Sequence, residues 1–321
     1  MAEEKQLVSL LLLAYNQERF VLEAMRSALS QTYSPLEIIV SDDYSTDKTY
    51  DIIEAEASAY RGPHRIIINR NRKNLGLAAN LNRAWELSSG QFIVAQAGDD
   101  ISIPDRTEKL VRRWRDRESP VDLVCSYFAE IDEHGRQTGY IKKEVAFMPD
   151  TSLKPLFWRC GATGACAGYS RKLYDKYGPL DVRVLAEDWV LSFRAWLELG
   201  IAVVEEPLVK HRTHNNSISV IHRNLKTTKN LALRAIRRRQ AAENELARAE
   251  EWLRAWQLGG KKEARHIEEG LQRLVRIHEL QLRAFESTPL VALKLAILTL
   301  MAGGGLLNAA RIIVRHVMRM D

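Results

Sequence analysis

Up to about residue 100, short, mostly apolar runs alternate with segments in which apolar residues recur at every third or fourth position. The runs at 8–13, 36–40, 65–68 and 92–95 predict strands, and the segments at 20–30, 48–59 and 77–87 predict helices. Regular alternation of strand and helix is typical of a parallel sheet with right-handed crossover connections. The pattern therefore predicts an α/β fold with a mostly parallel sheet flanked by helices.

The pattern changes beyond about residue 120. Segments 123–128 and 136–146 predict two strands around a turn at 133–135, 161–164 predicts a flexible loop, 190–199 a helix and 201–205 another strand. From about residue 221 only helical periodicity remains, to about 258 and again over 261–285. We therefore expect two domains: residues 1–220 with the sheet and residues 221–321 as an all-helical C-terminal extension.

The positive charge of the chain lies in this extension. The net charge is +6, and residues 221–321 carry 19 basic against 10 acidic residues, so that the preceding part is slightly acidic. Segment 221–240 alone holds seven basic residues and no acid. A basic helix of this kind is typical of a surface that meets anionic lipid headgroups, although a solvated helix face has the same pattern.

An uncharged segment at 295–310 follows, bounded by Lys294 and Arg311. A membrane-spanning helix needs about 20 apolar residues, and three consecutive glycines at 303–305 interrupt this one. Both a membrane-dipping helical hairpin and an oligomerisation helix pair fit the pattern.

The cysteines and the N-terminal residues bear on the compartment. Cys125, Cys160 and Cys166 are odd in number and form no C-x-x-C pair, which argues against a disulfide framework or a structural zinc site. The first residues, MAEEKQ, show no secretory signal. We expect a cytoplasmic protein, peripheral on the inner face of the cell membrane.

Ligands of open α/β sheets bind at the carboxyl ends of the strands, so the residues that follow each strand are the candidates for chemistry. The loop after the first strand, residues 14–18, contains no glycine, and the chain has no GxxxxGK[ST] motif; both facts disfavour dinucleotide and P-loop enzymes. After the second strand, Asp42 and Asp43 could accept hydrogen bonds from a nucleobase or a ribose, whereas Ser45 and Asp47 suit helix capping.

Two adjacent carboxylates, Asp99 and Asp100, follow the fourth strand. Their mutual repulsion would be relieved by a divalent cation, and Mg²⁺ or Mn²⁺ prefers carboxylates together with phosphate oxygens. The alternative, capping of a helix near Pro104, requires only one acid. The pair therefore predicts a site for a metal and a diphosphate.

In order and spacing, these loops resemble the GT-A glycosyltransferases of family 2, over roughly residues 5–220. The motifs that carry the resemblance are Ala14-Tyr15-Asn16 with Glu18, Asp42-Asp43-x-Ser45-x-Asp47-x-Thr49, Asn74-Leu75-Gly76 with Asn80, Gly98-Asp99-Asp100 and Glu187-Asp188-Trp189. The resemblance implies a GT-A, Rossmann-like sheet, a nucleotide-sugar donor and a divalent cation, Mn²⁺ or Mg²⁺. The chain differs from the family pattern at Ala97, where the first Asp of the DxD motif is common.

The resemblance also implies roles for individual residues. Asp43 would contact the nucleobase of the donor. Asp99 would belong to the metal-binding motif together with Asp100. Asp188, beside Glu187, would be the catalytic base that accepts a proton. The segment His211-Arg212-x-His214 resembles a closing segment in which Arg212 pairs with phosphate and His214 binds the metal or is structural. The residues expected to bind the nucleotide sugar are Ala14, Tyr15, Asn16, Glu18, Asp42, Asp43, Asn74, Gly76, Asn80, Gly98 and Arg212.

The implied activity is an inverting, metal-assisted transfer of a sugar to a hydroxyl of a lipid-linked glycan or polysaccharide. Helix capping is the alternative role for Glu187-Asp188, and the segment at 161–168 is expected to line the acceptor site. A catalytically inactive scaffold at the membrane is the alternative function, because of Ala97. Nucleic acid is not an expected partner, since the basic tail lacks an aromatic stacking platform beside its charge.

Overall fold

The computed structural model describes residues 5–142, 162–215, 217, 231–259, 265–283 and 289–301. The chain divides into two compact units, Met1–Ser217 and Ile218–Asp321. The domain boundary expected at 220 and 221 stays a prediction, because these residues lie outside the described ranges. Within those ranges, no helix is long and apolar enough to cross a membrane.

The first unit contains a nine-stranded sheet. Its strands are β1 Val8–Ala14, β2 Leu36–Asp42, β3 Arg65–Arg70, β4 Phe92–Ala97, β5 Ile101–Ser102, β6 Leu123–Ile131, β7 Gln137–Lys142, β8 Ala167–Ser170 and β9 Ile201–Arg212. Its helices are α1 Val21–Leu29, α2 Thr49–Ala59, α3 Leu77–Leu87, α4 Arg106–Trp114, α5 Arg171–Tyr177 and α6 Glu187–Leu197. A 3₁₀ turn occupies Gly164–Cys166.

The strands are ordered β3-β2-β1-β4-β8-β6-β9-β5, and β7 pairs with β6. The half from β3 to β4 is parallel, because each of its strands returns through a helix; β8 then pairs antiparallel with both β4 and β6. The α/β prediction is confirmed, and the carboxyl ends of β1, β2, β3 and β4 meet at one edge of the sheet.

The opposite edge is held by a buried carboxylate. Glu37, near the start of β2, is fully buried and accepts hydrogen bonds from the Ser9 hydroxyl at 2.6 Å and from the N–H groups of Ser89 at 2.5 Å and Gly90 at 3.2 Å. A buried charge is tolerated only when such bonds satisfy it. The apolar residues of β1, β2 and β4 pack with α1 into the main core.

Three expectations require correction. The predicted loop at 161–164 ends in the 3₁₀ turn, which begins at Gly164. The short sequence Ala167–Ser170 was not predicted as a strand, but it forms β8 in the centre of the sheet. The helix expected at 190–199 begins earlier, at Glu187, and β9 runs to Arg212 instead of ending at 205. The strand expected over 136–146 is seen as β7; residues beyond 142 lie outside the described ranges.

Helices are the elements that the structure describes in the second unit: α7 Leu231–Gly259, α8 Arg265–Arg283 and α9 Pro289–Met301. Buried residues of α8 recur at Ile267, Leu271, Ile277 and Leu280, which is the spacing of one helix face. The part of the basic segment before residue 231, and the glycines at 303–305, lie outside the described residues.

Candidate functional site

The loops after β1 and β2 are locked together by reciprocal hydrogen bonds. The Asn16 side chain accepts the Thr46 N–H at 2.8 Å, and its own N–H donates to the Ser45 hydroxyl at 2.9 Å. Glu18 accepts the Lys48 N–H at 3.1 Å, while its N–H donates to Asp47 at 3.1 Å. Asn16 and Glu18 therefore shape the loop, and Asn16 does so in the left-handed conformation, with a φ of 50°.

Asp43 lies at the centre of this edge. One carboxylate oxygen accepts the Asn71 side-chain amide at 2.8 Å and the Leu75 N–H at 2.9 Å, and the other accepts the Gly76 N–H at 2.8 Å. The carboxylate is thereby oriented by the loop that begins α3, and Gly76, with a φ of 86°, allows the required turn. The second oxygen has a further acceptor position for a ligand N–H.

The other residues expected on the nucleotide side occupy different environments. Asp42 is fully buried and accepts the Ser45 N–H at 3.0 Å, while Asn80 binds Ser41 and Asn71 within the interior. Asn74 accepts the Gly76 N–H at 3.1 Å.

The remaining residues expected at the nucleotide lie on the loops after β1 and β4. The Ala14 carbonyl accepts the Asp43 N–H, and the Gly98 N–H donates to the Leu13 carbonyl. The Tyr15 side chain is 44% exposed. The expected contacts of Tyr15 and Asp43 with a nucleobase stay a prediction.

Asp99 and Asp100 face different histidines. An Asp99 oxygen lies 2.9 Å from His214 Nε2, and both side chains retain some exposure. Asp100 is fully buried, with one oxygen 3.0 Å from His211 Nδ1 and the other accepting the Arg212 N–H at 2.8 Å. Burial raises the pKa of the Asp100 carboxyl, whereas His211 and the Arg212 N–H oppose that shift.

The Arg212 guanidinium is held by protein groups. It donates to the Asp99 carbonyl at 2.9 Å, to the carbonyls of Asp132 and Glu133 at 3.2 and 3.4 Å, and to the Glu23 carboxylate at 2.5 Å. Only 2% of its side chain is exposed. In this arrangement Arg212 joins α1, the Asp99-Asp100 loop and the β6–β7 turn, and its predicted contact with phosphate stays a prediction.

The side chains of Asp99 and His214 fit a divalent cation that is coordinated partly by the protein and partly by a substrate. Among the described residues there is no group of three or more His, Cys, Asp or Glu side chains that could hold an ion by itself. Mg²⁺ and Mn²⁺ are commonly bound by one or two protein ligands together with substrate phosphates, and carboxylate and imidazole are suitable donors. Asp99 and His214 would hold the ion; bound there, it would neutralise charge on a diphosphate.

The second carboxylate pair lies in the first turn of α6. Asp188 accepts the Trp189 N–H at 2.9 Å and the Gly164 N–H at 3.3 Å, which orients it toward the 3₁₀ turn. A Cβ at position 164 would lie 2.7 Å from a Glu187 oxygen, so a larger residue there would force the Glu187 side chain to move. Loss of hydration and the neighbouring Asp188 charge raise the pKa of Glu187 to about 8. The Glu187 carboxyl therefore keeps its proton to a higher pH than an isolated glutamate does.

Several residues around these groups were not predicted as site residues. His211 pairs with Asp100, and Glu23 pairs with Arg212. Arg106, fully buried, donates to the carbonyls of Ala95 and Ala165 at 2.8 Å and thus joins the end of β4 to the 3₁₀ turn. A sequence signal existed only for His211, which lies in the same short segment as His214.

The family model described as glycosyl transferase family 2 matches residues 9–178. The chain belongs to this family. An uncharacterized glycosyltransferase of Haemophilus influenzae is 31% identical over 237 residues, which covers 68% of this chain and 69% of that protein. EpsE of Bacillus subtilis is 42% identical over 128 residues, covering 40% of this chain and 45% of EpsE.

A third relative has a specific name. WfaP of Escherichia coli, a UDP-Glc:alpha-D-GlcNAc-diphosphoundecaprenol beta-1,3-glucosyltransferase, is 32% identical over 127 residues, covering 40% of this chain and 48% of WfaP. The chain therefore spans about half the length of EpsE and of WfaP.

Solved structures show the same fold. S. aureus TarS in complex with UDP-GlcNAc has a TM-score of 0.56 at 18% identity, covering 96% of this chain and 89% of that chain. The mannosyltransferase PcManGT from Pyrobaculum calidifontis, in complex with GDP-Man and Mn²⁺, has a TM-score of 0.53 at 16% identity, covering 98% and 88%. At these identities the likeness establishes the GT-A fold, as predicted.

Proposed function

We propose that the protein transfers a sugar from a UDP- or dTDP-linked donor to a hydroxyl group of a lipid-linked glycan or polysaccharide, with inversion at the anomeric carbon. The observation that carries the proposal is the Glu187-Asp188 pair at the start of α6, in which two backbone N–H groups orient Asp188. Family membership and the name of WfaP, with its lipid-diphosphate acceptor, support the substrate classes.

In this proposal Asp188 is the catalytic base. Hydrogen bonds from the N–H groups of Gly164 and Trp189 orient the Asp188 carboxylate, and its remaining lone pairs can accept a proton. As the acceptor hydroxyl attacks the anomeric carbon, its oxygen–hydrogen bond breaks and the proton passes to Asp188, while the bond to the diphosphate breaks. A single displacement of this kind needs no covalent enzyme intermediate.

The donor is proposed to lie along the ends of β1, β2 and β4. Tyr15 and Asp43 would contact the base, and Asn16, Glu18, Asp42 and Asn80 would shape the pocket through the bonds described above. Asp99 and His214 would hold Mn²⁺ or Mg²⁺ against the diphosphate. Asp100, which is fully buried and bonded to His211 and Arg212, would fix the end of β9.

Thermal unfolding with UDP and Mn²⁺ tests this function. A ligand at 100 times its Kd stabilises the folded state by about 2.7 kcal/mol, so we expect a rise of several degrees in Tm with both present. UDP with EDTA, and Mn²⁺ alone, are the controls and should give much smaller shifts. If neither UDP nor dTDP raises the Tm in the presence of Mn²⁺, the inactive-scaffold alternative is favoured. A panel of nucleotide sugars, followed by release of the nucleotide, then identifies the donor.

We further propose a peripheral location on the anionic inner face of the cell membrane. On α9, Ile297, Leu298 and Met301 are exposed, and segment 221–240, earlier in the chain, carries seven basic residues. Apolar side chains together with basic charge favour binding at the surface of an anionic bilayer. This would place the enzyme beside a lipid-linked acceptor; assembly of copies through the same helices is the alternative.

Sedimentation with lipid vesicles tests the location. We expect the full chain to pellet with vesicles that contain phosphatidylglycerol and to stay in solution with purely zwitterionic vesicles. Deletion of residues 288–321 should reduce pelleting and leave the UDP–Mn²⁺ shift in Tm intact. Full pelleting of the truncated protein would indicate that the 221–240 segment is the part that binds the membrane. If the full chain does not bind anionic vesicles and elutes as an oligomer, membrane binding is refuted.

A further inference from the structure

Asn82 joins α3 to the segment that leads to the Glu187-Asp188 pair. Its side-chain amide donates to the Leu180 carbonyl at 2.8 Å, and its side-chain oxygen accepts the Leu180 N–H at 2.9 Å. Both residues are buried, at 8% and 5% exposure. A primary amide that pairs with both the N–H and the C=O of one residue imitates the pairing of two antiparallel strands, so it fixes the orientation of that residue's backbone as well as its distance.

The segment after Leu180 is short and ordered up to the carboxylate pair. Arg183 donates its N–H to the Asp181 side chain at 2.8 Å, and the Val184 N–H closes a turn onto the Asp181 carbonyl at 3.0 Å. Val184 is fully buried. Glu187 begins α6 three residues later. Two hydrogen bonds and one buried side chain therefore restrain the chain between Leu180 and Glu187, so a displacement at Leu180 would also move the Glu187-Asp188 pair.

The other end of the connection lies on the donor side. The N–H of Gly76, immediately before α3, donates to Asp43, and Asn80 of the same helix binds the Ser41 carbonyl at 3.0 Å. From Gly76 to Asn82 the helix rises by about 9 Å, at roughly 1.5 Å per residue. The start of α3 thus contacts Asp43, which is expected to bind the nucleobase. Asn82, farther along the same helix, contacts Leu180 in the segment that leads to the Glu187-Asp188 pair.

A second contact to this segment comes from α6. Arg194 donates to the Gly178 carbonyl at 2.7 Å, and Gly178 turns the chain with a φ of 73°. This bond connects the segment to α6, the helix that bears the Glu187-Asp188 pair, and it makes no contact with the donor side. The Asn82–Leu180 pair, in contrast, connects the donor side to this segment, and Arg106 makes a separate connection through the 3₁₀ turn.

We propose that Asn82 is a positioning residue for sugar transfer: by pairing with Leu180 it sets the place of Asp188 relative to a donor bound beside Asp43. This inference rests on the proposed function, because it takes Asp188 as the base. Asn82 acts through Leu180 and touches no substrate. Since a misplacement of about 1 Å in a reacting group can reduce the rate by about 100-fold, the pair would influence kcat far more than the binding of the donor.

The test compares Asn82→Ala with Ser9→Ala in the full chain. Ser9 also donates one buried hydrogen bond and accepts another, to Glu37 and from Gly90, but it does so at the opposite edge of the sheet. Each variant removes two buried hydrogen bonds, and each should lower the Tm. We expect kcat for hydrolysis of the nucleotide sugar that the parent turns over to fall by about 10–100-fold in Asn82→Ala only, with KM changed less than about twofold.

Hydrogen exchange measured on peptides spanning residues 178–189 provides a readout that does not depend on turnover. Asn82→Ala should accelerate exchange there, and UDP with Mn²⁺ should protect these residues in the parent and in Ser9→Ala but not in Asn82→Ala. Unchanged exchange in Asn82→Ala, or accelerated exchange with parental kcat, would overturn the positioning role. If the parent fails to bind UDP and Mn²⁺ at all, the proposed function fails, and exchange without ligand still decides whether the pair holds the segment.

Discussion

Replacement of Asp188 by Asn is expected to reduce sugar transfer by about 10²–10⁴-fold, the usual contribution of a general base. The amide keeps the size of the carboxylate and can still accept a hydrogen bond from Gly164 or Trp189, but it cannot take the acceptor's proton. Binding of UDP and Mn²⁺ should stay within about twofold of the parent. The measurement is kcat with the donor identified in the nucleotide-sugar screen, next to a calorimetric titration of UDP.

Glu187→Gln is the matched control. Burial and the neighbouring Asp188 raise the pKa of Glu187, so its neutral form is favoured relative to an ordinary glutamate, and Gln reproduces that neutral form. We expect this variant to retain transfer within about threefold below pH 8, since no base is lost. Loss of transfer in Glu187→Gln with activity in Asp188→Asn would place the base one residue earlier. Parental rates in both variants would refute the mechanism, and a lower Tm without loss of transfer would assign the pair to helix capping.

Replacement of Asp99 by Asn should weaken Mn²⁺-dependent binding of UDP by more than about 10-fold, because a neutral amide loses the attraction of a carboxylate for the cation. Even groups that only support a metal ligand contribute about 10–100-fold to affinity, so a ligand itself should contribute no less. Binding of UDP in EDTA should be the same in the variant and the parent. The measurement is calorimetric titration of UDP at several Mn²⁺ concentrations.

Asp100→Asn is the neighbouring control, and the structure predicts a different result for it. Asp100 is fully buried and bonded to His211 and to the Arg212 N–H, so its replacement should alter Tm more than Mn²⁺ dependence. Equal loss of Mn²⁺ dependence in both variants would mean that the two carboxylates share the ion. Parental Mn²⁺ dependence in both would show that the metal lies elsewhere.

The positions of the candidate groups along the chain could be predicted from local pattern. The strands β1, β2 and β4 are mostly apolar runs that are buried in the sheet, and parallel strands bring the residues that follow them to one edge. For this reason the strand pattern alone is enough to place Asp43, Asp99 and the Asn16 loop at one edge of the sheet. The register of a short strand such as β8 carries no comparable signal, since four residues show neither periodicity nor length.

The roles of those groups depend on residues far away in the chain. Asp99 and Asp100 are adjacent and chemically identical, yet one faces His214 and the other is enclosed by His211 and Arg212, more than 100 residues later. Asn82 likewise acquires its partner, Leu180, only through folding. The amino-acid sequence is sufficient for the fold class and the family, and for the edge of the sheet at which the candidate residues meet, because periodicity and motif order are local properties. Which carboxylate is exposed, paired or protonated follows from the folded chain, because burial and long-range hydrogen bonds set those properties.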